Sequence, residues 1–506
     1  MRRRQLAGCV LALGLMAASC APAGRYEARP TPRTSPSPRP ADQPYRPWPI
    51  PADYAWMPPD PAAMDPEVIG IEFVHEETNP QEWEQLRSFW NLRQVPRAPQ
   101  AAALLGLPPV LQGGVAAATM PVVTIKIPSG LDPIGPEQLP AANPPTVAKW
   151  ELGKLLFFDD SYLLPEGANL SCASCHRPAL GYARSFPEPG SGQPDTPTLV
   201  NVVYHKHLFW DGRASALEEV VQRVLEDERP PRIGEPAKPH VWSGVIARLR
   251  ASADYDRRFR RVFGTPPTQD AVGKALATYL RTILSGNSLQ DRAEQSRRRR
   301  NGATLEPADY EKFLDEAAIR SVLLEAPGKD ELPPKDEVAR QLHAGYTLFY
   351  GKGLCSRCHA GRNFTDNGFH NLGVGQPAGI KYEPGKEPGR FAALPIGRKD
   401  PLMIGAYKTP TLRALLGTRP YFHDGSRFDL FDVVAFHVQG SRIANPYLDP
   451  LLRDPQNPLH RRDLGLKEDE VRALVMFLKA LDGDPIDPAV AEPDRWPEGT
   501  GPNRRK

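Results

Sequence analysis

Cys172-Ala173-Ser174-Cys175-His176 sets two thiols three residues apart with an imidazole on the next residue, and Cys355-Ser356-Arg357-Cys358-His359 repeats the arrangement. Thiols at this spacing add to the vinyl groups of a haem, and the adjoining histidine is then held against the iron as its proximal ligand. The chain therefore reads as a carrier of two covalently bound haem c groups, with His176 and His359 as iron ligands. Of the six cysteines, the other two, Cys9 and Cys20, fall in the first twenty residues, so none remains for a structural disulfide. Zinc held by the two C-x-x-C pairs is the competing chemistry. The wide separation of the pairs, and the histidine after each, favour haem.

A porphyrin must be buried against apolar side chains, so each motif needs an amphipathic helix beside it. Val147 to Phe158 carries apolar residues at helical spacing ahead of the first motif, and Val338 to Tyr350 does so ahead of the second. The two segments share a pattern, Gly153-x-x-Leu156-Phe157-Phe158 and Gly345-x-x-Leu348-Phe349-Tyr350. Such self-similarity implies two copies of one haem-binding unit. Between the motifs the periodicity predicts helices over Ala214 to Glu226 and Gln269 to Leu284, and the run Arg297 to Arg300 reads as a solvated loop, or else as a docking patch for an acidic partner. After the second motif a glycine-rich and proline-rich connection leads to Thr409-Pro-Thr-Leu-Arg413 and Pro420-Tyr-Phe-His-Asp-Gly425. The last helix, Glu468 to Leu481, aligns Val471, Leu474, Val475, Leu478 and Leu481, with Gly483 as its stop. No β-strand pattern of any length stands out. The expected fold is mainly α, two cytochrome c-like haem domains with long loops.

The 506 residues are enough for two or three domains. A net charge of +3 requires neither nucleic acid nor an anionic membrane surface as partner. Arg2, Arg3 and Arg4 precede the apolar run Leu6 to Met16, and small residues lead to Cys20, so 1–20 reads as an export signal. It resembles a lipoprotein signal, with Cys20 as the lipidated residue; cleavage to a free protein is the alternative. Either places the protein outside the cytoplasm, on the periplasmic side. Many of the 58 prolines lie in 21–60, a segment that reads as an extended tether. Residues 61–125, with a helical patch around Trp83 to Trp90, carry no functional reading. The expected haem domains are 126–335 and 336–485, followed by a tail, 486–506.

With both motifs, Phe209-Trp-Asp-Gly-Arg213, Thr409-Pro-Thr-Leu-Arg413 and Pro420-Tyr-Phe-His-Asp-Gly425 in this order, the chain resembles the bacterial dihaem cytochrome c peroxidase family. That family also holds the dihaem enzymes that mature tryptophan tryptophylquinone. The likeness runs from about Ile127 to Asp484 and implies that the haem at His176 meets hydrogen peroxide. The haem at His359 would take electrons from a small donor protein, a cytochrome c or a cupredoxin. The resemblance puts the acid/base carboxylate on the helix after Phe-Trp-Asp-Gly-Arg, at Glu219. Periodicity sets Leu217, Val220, Val221, Val224 and Leu225 on the apolar face, Glu218 on its flank and Glu219 opposite, so that role rests on the resemblance.

Some relatives close the peroxidatic iron with a loop histidine. Here no histidine falls between His176 and His205, and His205 and His207 read as surface or packing residues. An aromatic expected between the haems is replaced by Val200. The resemblance offers His437 as second ligand of the C-terminal haem iron, with Met403 as alternative, and places His423 near the interface of the haem domains. It also implies a calcium ion on the carbonyls of Thr418 and Pro420. The leading expectation is a peroxidase; the alternatives are a dihaem electron carrier without peroxidase activity and a dihaem oxidase that modifies a partner protein.

Overall fold

The computed structural model describes residues 56–64, 69–96, 119–162, 170–183, 195–226, 241–324, 332–375, 388–441, 443–497 and 500–501. The export segment, Cys20 and most of the tether lie outside them.

Contrary to the expectation of no strands, the first described region forms a three-stranded sheet: β1 (Gly70–Val74), β2 (Trp90–Pro96) and β3 (Thr119–Lys126). Its order is β1-β3-β2, with β1 parallel and β2 antiparallel to β3. Val122, Val123 and Ile125 of the central strand are all buried. A strand covered on both faces reads as a continuous apolar run, so the alternation that betrays a half-buried strand is missing. The helical patch is real but short: α1 (Pro80–Gln85) ends before Trp90 opens β2. Ile71, Val123 and Ile125 share one core cluster with Trp150, Phe157 and Tyr279. The extension is thus part of the first haem domain's core.

That domain is built on α2 (Val147–Phe158), α3 (Leu217–Glu226), α4 (Val241–Ala251), α5 (Ala253–Phe263) and α6 (Gln269–Leu280). Thr146 and Thr268 cap α2 and α6, each hydroxyl accepting an amide of the first turn. Next, α7 (Leu289–Arg299) carries the arginine run that was expected in a loop. Three of the run's four guanidinium groups are engaged: Arg297 with Glu294 at 2.8 Å, Arg298 with Glu77 at 2.9 Å and Arg300 with Asp309 at 2.7 Å. The second domain contains α8 (Lys335–Tyr350), a two-stranded ribbon of β4 (Phe369–His370) and β5 (Tyr407–Lys408), α9 (Leu430–Val438) and α10 (Glu468–Lys479). A shared cluster, Leu289 and Ala293 of α7 with Leu342 of α8 and Met476 of α10, joins the domains.

The internal repeat is borne out by packing. Gly153 of α2 lies against the Ala275 carbonyl of α6, and Gly345 of α8 lies against the Ala473 carbonyl of α10; a Cβ at either would collide with that carbonyl. Three further pairs of residues share left-handed backbone in equivalent places: Tyr182 and Phe364, Asn201 and Ala414, and Phe209 and Phe422. Single β-bridges close the matching loops, Leu208 to Ala214 and Tyr421 to Arg427. The duplication therefore extends beyond the haem motifs, setting Trp210 of Phe-Trp-Asp-Gly in correspondence with His423 of Phe-His-Asp-Gly.

Candidate haem sites and the junction between them

Each C-x-x-C-H segment is a tight turn closed by the histidine's own amide. His176 N donates to Cys172 O at 2.8 Å, and His359 N donates to Cys355 O at 2.9 Å. Both rings are then oriented alike: Nδ1 of His176 donates to Tyr182 O and Nδ1 of His359 to Phe364 O, each at 3.0 Å. A histidine whose Nδ1–H is held by a carbonyl presents Nε2 as its lone-pair nitrogen, the tautomer an iron requires. Burial pushes both imidazoles down to about 4, so they are neutral at ordinary pH. It also pushes the Cys172 and Cys355 thiols up to about 12. Among the described residues no cluster draws the four cysteines together; the potential metal cluster there joins Cys358 to Asp366 and His370. Two C-x-x-C pairs held in separate domains do not form a four-cysteine zinc site.

The second site is a cavity open to solvent on one side. Phe349, Leu354, Leu415, Leu430, Val434 and Leu478 supply apolar wall, and Cys355, Cys358 and His359 lie along it. His437, the last residue but one of α9, lines the same cavity. Its Nδ1 donates to Val433 O at 2.8 Å, which again leaves Nε2 free for an iron, and burial lowers its pKa. Thiols, two correctly oriented histidines and an apolar enclosure fit a haem. Met403 closes a 3-10 turn, Pro401–Met403, and is not among the residues lining the cavity.

Trp210 reaches this cavity from the first domain. Its Nε1 donates to Asp195 O at 2.7 Å, and its own carbonyl accepts from Lys408 N at 2.8 Å. Its ring lies 6.4 Å from His423, which stacks on Tyr407 at 3.6 Å and 19°. An aromatic group thus bridges the two halves although Val200 does not provide it; Val200 is buried in the first core. Sequence reading passed over Trp210 because it sat inside a motif used only for recognition. The correspondence with His423 was the available signal.

The remaining candidates are placed as follows. Glu218 is a structural residue: Arg281 donates to both its oxygens at 3.0 and 3.1 Å, and Asn143 Nδ2 donates at 2.8 Å. Glu219 accepts from Ser215 N at 2.9 Å and from Arg223 Nε at 2.7 Å. Against the upward push of burial, the Ser215 amide and the Arg223 guanidinium hold its carboxyl below the usual range. His207 packs on Phe369 at 5.2 Å. His205 is a packing residue: its Nε2 is buried, and burial drives its pKa well down. Thr418 and Pro420 lie in the loop whose Thr418 side chain packs near Gly181 of the first domain. No described helix is long and apolar enough to cross a membrane.

The family model described as di-haem cytochrome c peroxidase matches residues 147–299. Cytochrome-c peroxidase IdrP1 of Denitromonas iodatirespirans is 30% identical over 69% of this chain and 86% of its own length. Methylamine utilization protein MauG of Methylorubrum extorquens is 31% identical over 68% of this chain and 81% of its own. Among solved structures, a MauG-like protein associated with microbial copper homeostasis covers 73% of this chain and 98% of its own at a TM-score of 0.51 and 23% identity, a likeness of fold. With two haem-attachment segments on a duplicated helical scaffold, and relatives aligned across most of their length, the chain belongs to the di-haem cytochrome c peroxidase family of oxidoreductases.

Proposed function

We propose that this enzyme reduces hydrogen peroxide to two waters, consuming two protons and two electrons that a small redox protein, a cytochrome c or a cupredoxin, delivers one at a time. One observation carries the reading. His359 and His437 share one cavity, each with Nδ1 tied to a carbonyl and Nε2 left for iron, whereas 177–204 contains no histidine or methionine to close the first iron. The arrangement pairs a closed electron-transfer site with an open site for substrate. When bound, the haems supply one-electron redox chemistry and, at the first iron, the coordination position for peroxide.

The chain's own residues do the rest. Trp210, His423 and Tyr407 form a continuous aromatic contact between the halves and serve as the path for electrons. Glu219 is the proton-handling carboxylate, because Glu218 is consumed by Arg281 and Asn143. Glu219 stands ionised, held by the Ser215 amide and the Arg223 guanidinium. The protein is exported to the periplasmic side and anchored by a lipid on Cys20. The carbonyls of Thr418 and Pro420 would hold a calcium ion, which would stiffen the loop where Thr418 packs near Gly181.

The test begins from the fully oxidised protein, titrated with peroxide while ultraviolet-visible and electron paramagnetic resonance spectra are recorded. A high-spin signal that disappears with peroxide, together with turnover supported by a reduced cytochrome c or cupredoxin, is the expected result. Two low-spin haems that ignore peroxide, in the half-reduced protein as well, would leave an electron carrier. In E219Q, turnover is expected to fall by about 10²–10⁴-fold with spectra intact. Unchanged turnover would move the role to Glu228 or Glu235, outside the described residues. Kinship with MauG favours a second reading, oxidation of a partner protein, which would show as a peroxide response without donor-supported turnover.

A further inference from the structure

The described wall of the second cavity contains several cations and no carboxylate. Two of the cations are deeply buried: Lys408 is 5% exposed and Arg461 is 7% exposed. Lys408 Nζ donates to Thr409 O at 2.9 Å. Arg461 donates from Nε to Gln439 O and from Nη1 to Leu372 O, both at 3.1 Å. All three acceptors are neutral carbonyls, and among the described residues neither side chain has an ion-pair partner. Lys154, equally buried in the first domain, also meets only carbonyls, but three other cations are answered. Arg413 meets Asp291, Arg281 meets Glu218, and His370 of this same wall is gripped by Asp366 at 2.9 Å and Asp449 at 2.7 Å.

A buried ion without a paired counter-ion is costly, and the cost shows here: burial brings Lys408 down to about 8 against the weaker upward pull of Asp366, and brings Arg461 to about 10. Both are anchored to one ribbon: Lys408 pairs with Phe369 across β4 and β5, and Arg461 holds the carbonyl of Leu372, just past β4. Arg461 also lies over the Phe436 ring at 3.9 Å, so it braces the residue next to His437. An apolar cavity with two unanswered cations fits a flat hydrophobic ligand that brings two carboxylates of its own.

We propose that Lys408 and Arg461 receive the two propionates of the second haem and hold its reduction potential up. The assignment rests on the reading that the second motif carries haem. Opposite charge beside the propionates would favour their ionised form, and positive charge near the iron would favour the reduced state. Arg357, on the rim and exposed, lines the same cavity and takes no part.

The holoenzyme and its K408M, R461M, K408R, R461K and R357M variants would be compared by spectroelectrochemical titration of the second haem. The propionate-bending region of the resonance Raman spectrum gives a second readout. Lower potential and a displaced band are expected in both methionine variants, with parental values in the charge-preserving pair and in R357M. Unchanged potential and band in K408M and R461M would overturn the assignment, as would equal shifts in the charge-preserving variants. Should a methionine variant lose haem, retention by its charge-preserving counterpart supports the role, and loss in both overturns it. Haem content of the parent separates the two failures: with no second haem attached, the family reading of the site fails instead.

Discussion

His437 shows what one side chain decides. Its Nδ1 is spent on Val433 O, so Nε2 is the only nitrogen it can offer the cavity. H437A is expected to turn the second haem from low spin to high spin by electron paramagnetic resonance, and H437M to keep it low spin at higher potential; low spin retained in H437A would remove the histidine from the iron. Asp482 makes a separate prediction about pH. Burial raises its carboxyl from 3.8 to about 6, and one of its oxygens has no partner. The folded state therefore prefers the proton, and the penalty is absent near pH 4, grows as pH rises to about 6, and is constant above. D482N should stabilise by about 2–3 kcal/mol at pH 7.5 and by nearly nothing at pH 4, read from denaturant unfolding. At this scale the sequence disclosed residues whose chemistry is local, Cys172 to His176 and Cys355 to His359. Trp210, Lys408 and Arg461 stayed hidden because their meaning comes from a neighbour distant in the chain, and a lysine or arginine looks the same whether or not a counter-ion awaits it.

Among the elements, the duplicated glycines carry the sharpest claim. At Gly153 and Gly345 two helices touch backbone to side, which only a residue without Cβ permits. G153A and G345A are each expected to cost about 1–3 kcal/mol in denaturant unfolding, against a few tenths for an exposed position such as Gly397, where a Cβ meets nothing. Helix α8 was legible because a stripe every three to four residues survives in it, at Val338, Leu342, Gly345 and Phe349, whereas α2 is buried on most sides, yet its boundaries coincide with the expected ones. The sheet was not, since its central strand is buried on both faces and Val122, Val123 and Ile125 form no alternation. The arginines of α7 misled for a related reason. A charge run reads as solvated loop, yet here Glu294, Glu77 and Asp309 answer three of the four charges from the same helix, the extension and the short helix Pro307–Glu311.

The whole molecule depends on contacts that cross between the haem domains, and a deeply buried one is made by Arg413. Its side chain is 1% exposed and grips Asp291 through two hydrogen bonds, at 2.8 and 2.9 Å, while Nη2 donates to Gly130 O and Nε to Arg362 O. Asp291 is itself bound into the start of α7, where it accepts from Ser288 N at 2.9 Å. One guanidinium thus ties the Thr-Pro-Thr-Leu-Arg segment of the second domain to the helix that ends the first. Glu77 of the extension adds a half-exposed pair with Arg362 close by, which contributes about 1 kcal/mol or less. Removing one member of the buried pair leaves the other charged and unanswered, so D291A is expected to cost about 3–5 kcal/mol. The stronger consequence concerns cooperativity. In the parent holoenzyme the haem absorbance of both domains and tryptophan fluorescence should be lost in one transition, because the joint and the cores fail together. In R413M the second haem's band should depart before the fluorescence of Trp150, which sits in the first core. Coincident transitions in both proteins would show that the shared cluster of α7, α8 and α10 holds the domains together without the arginine.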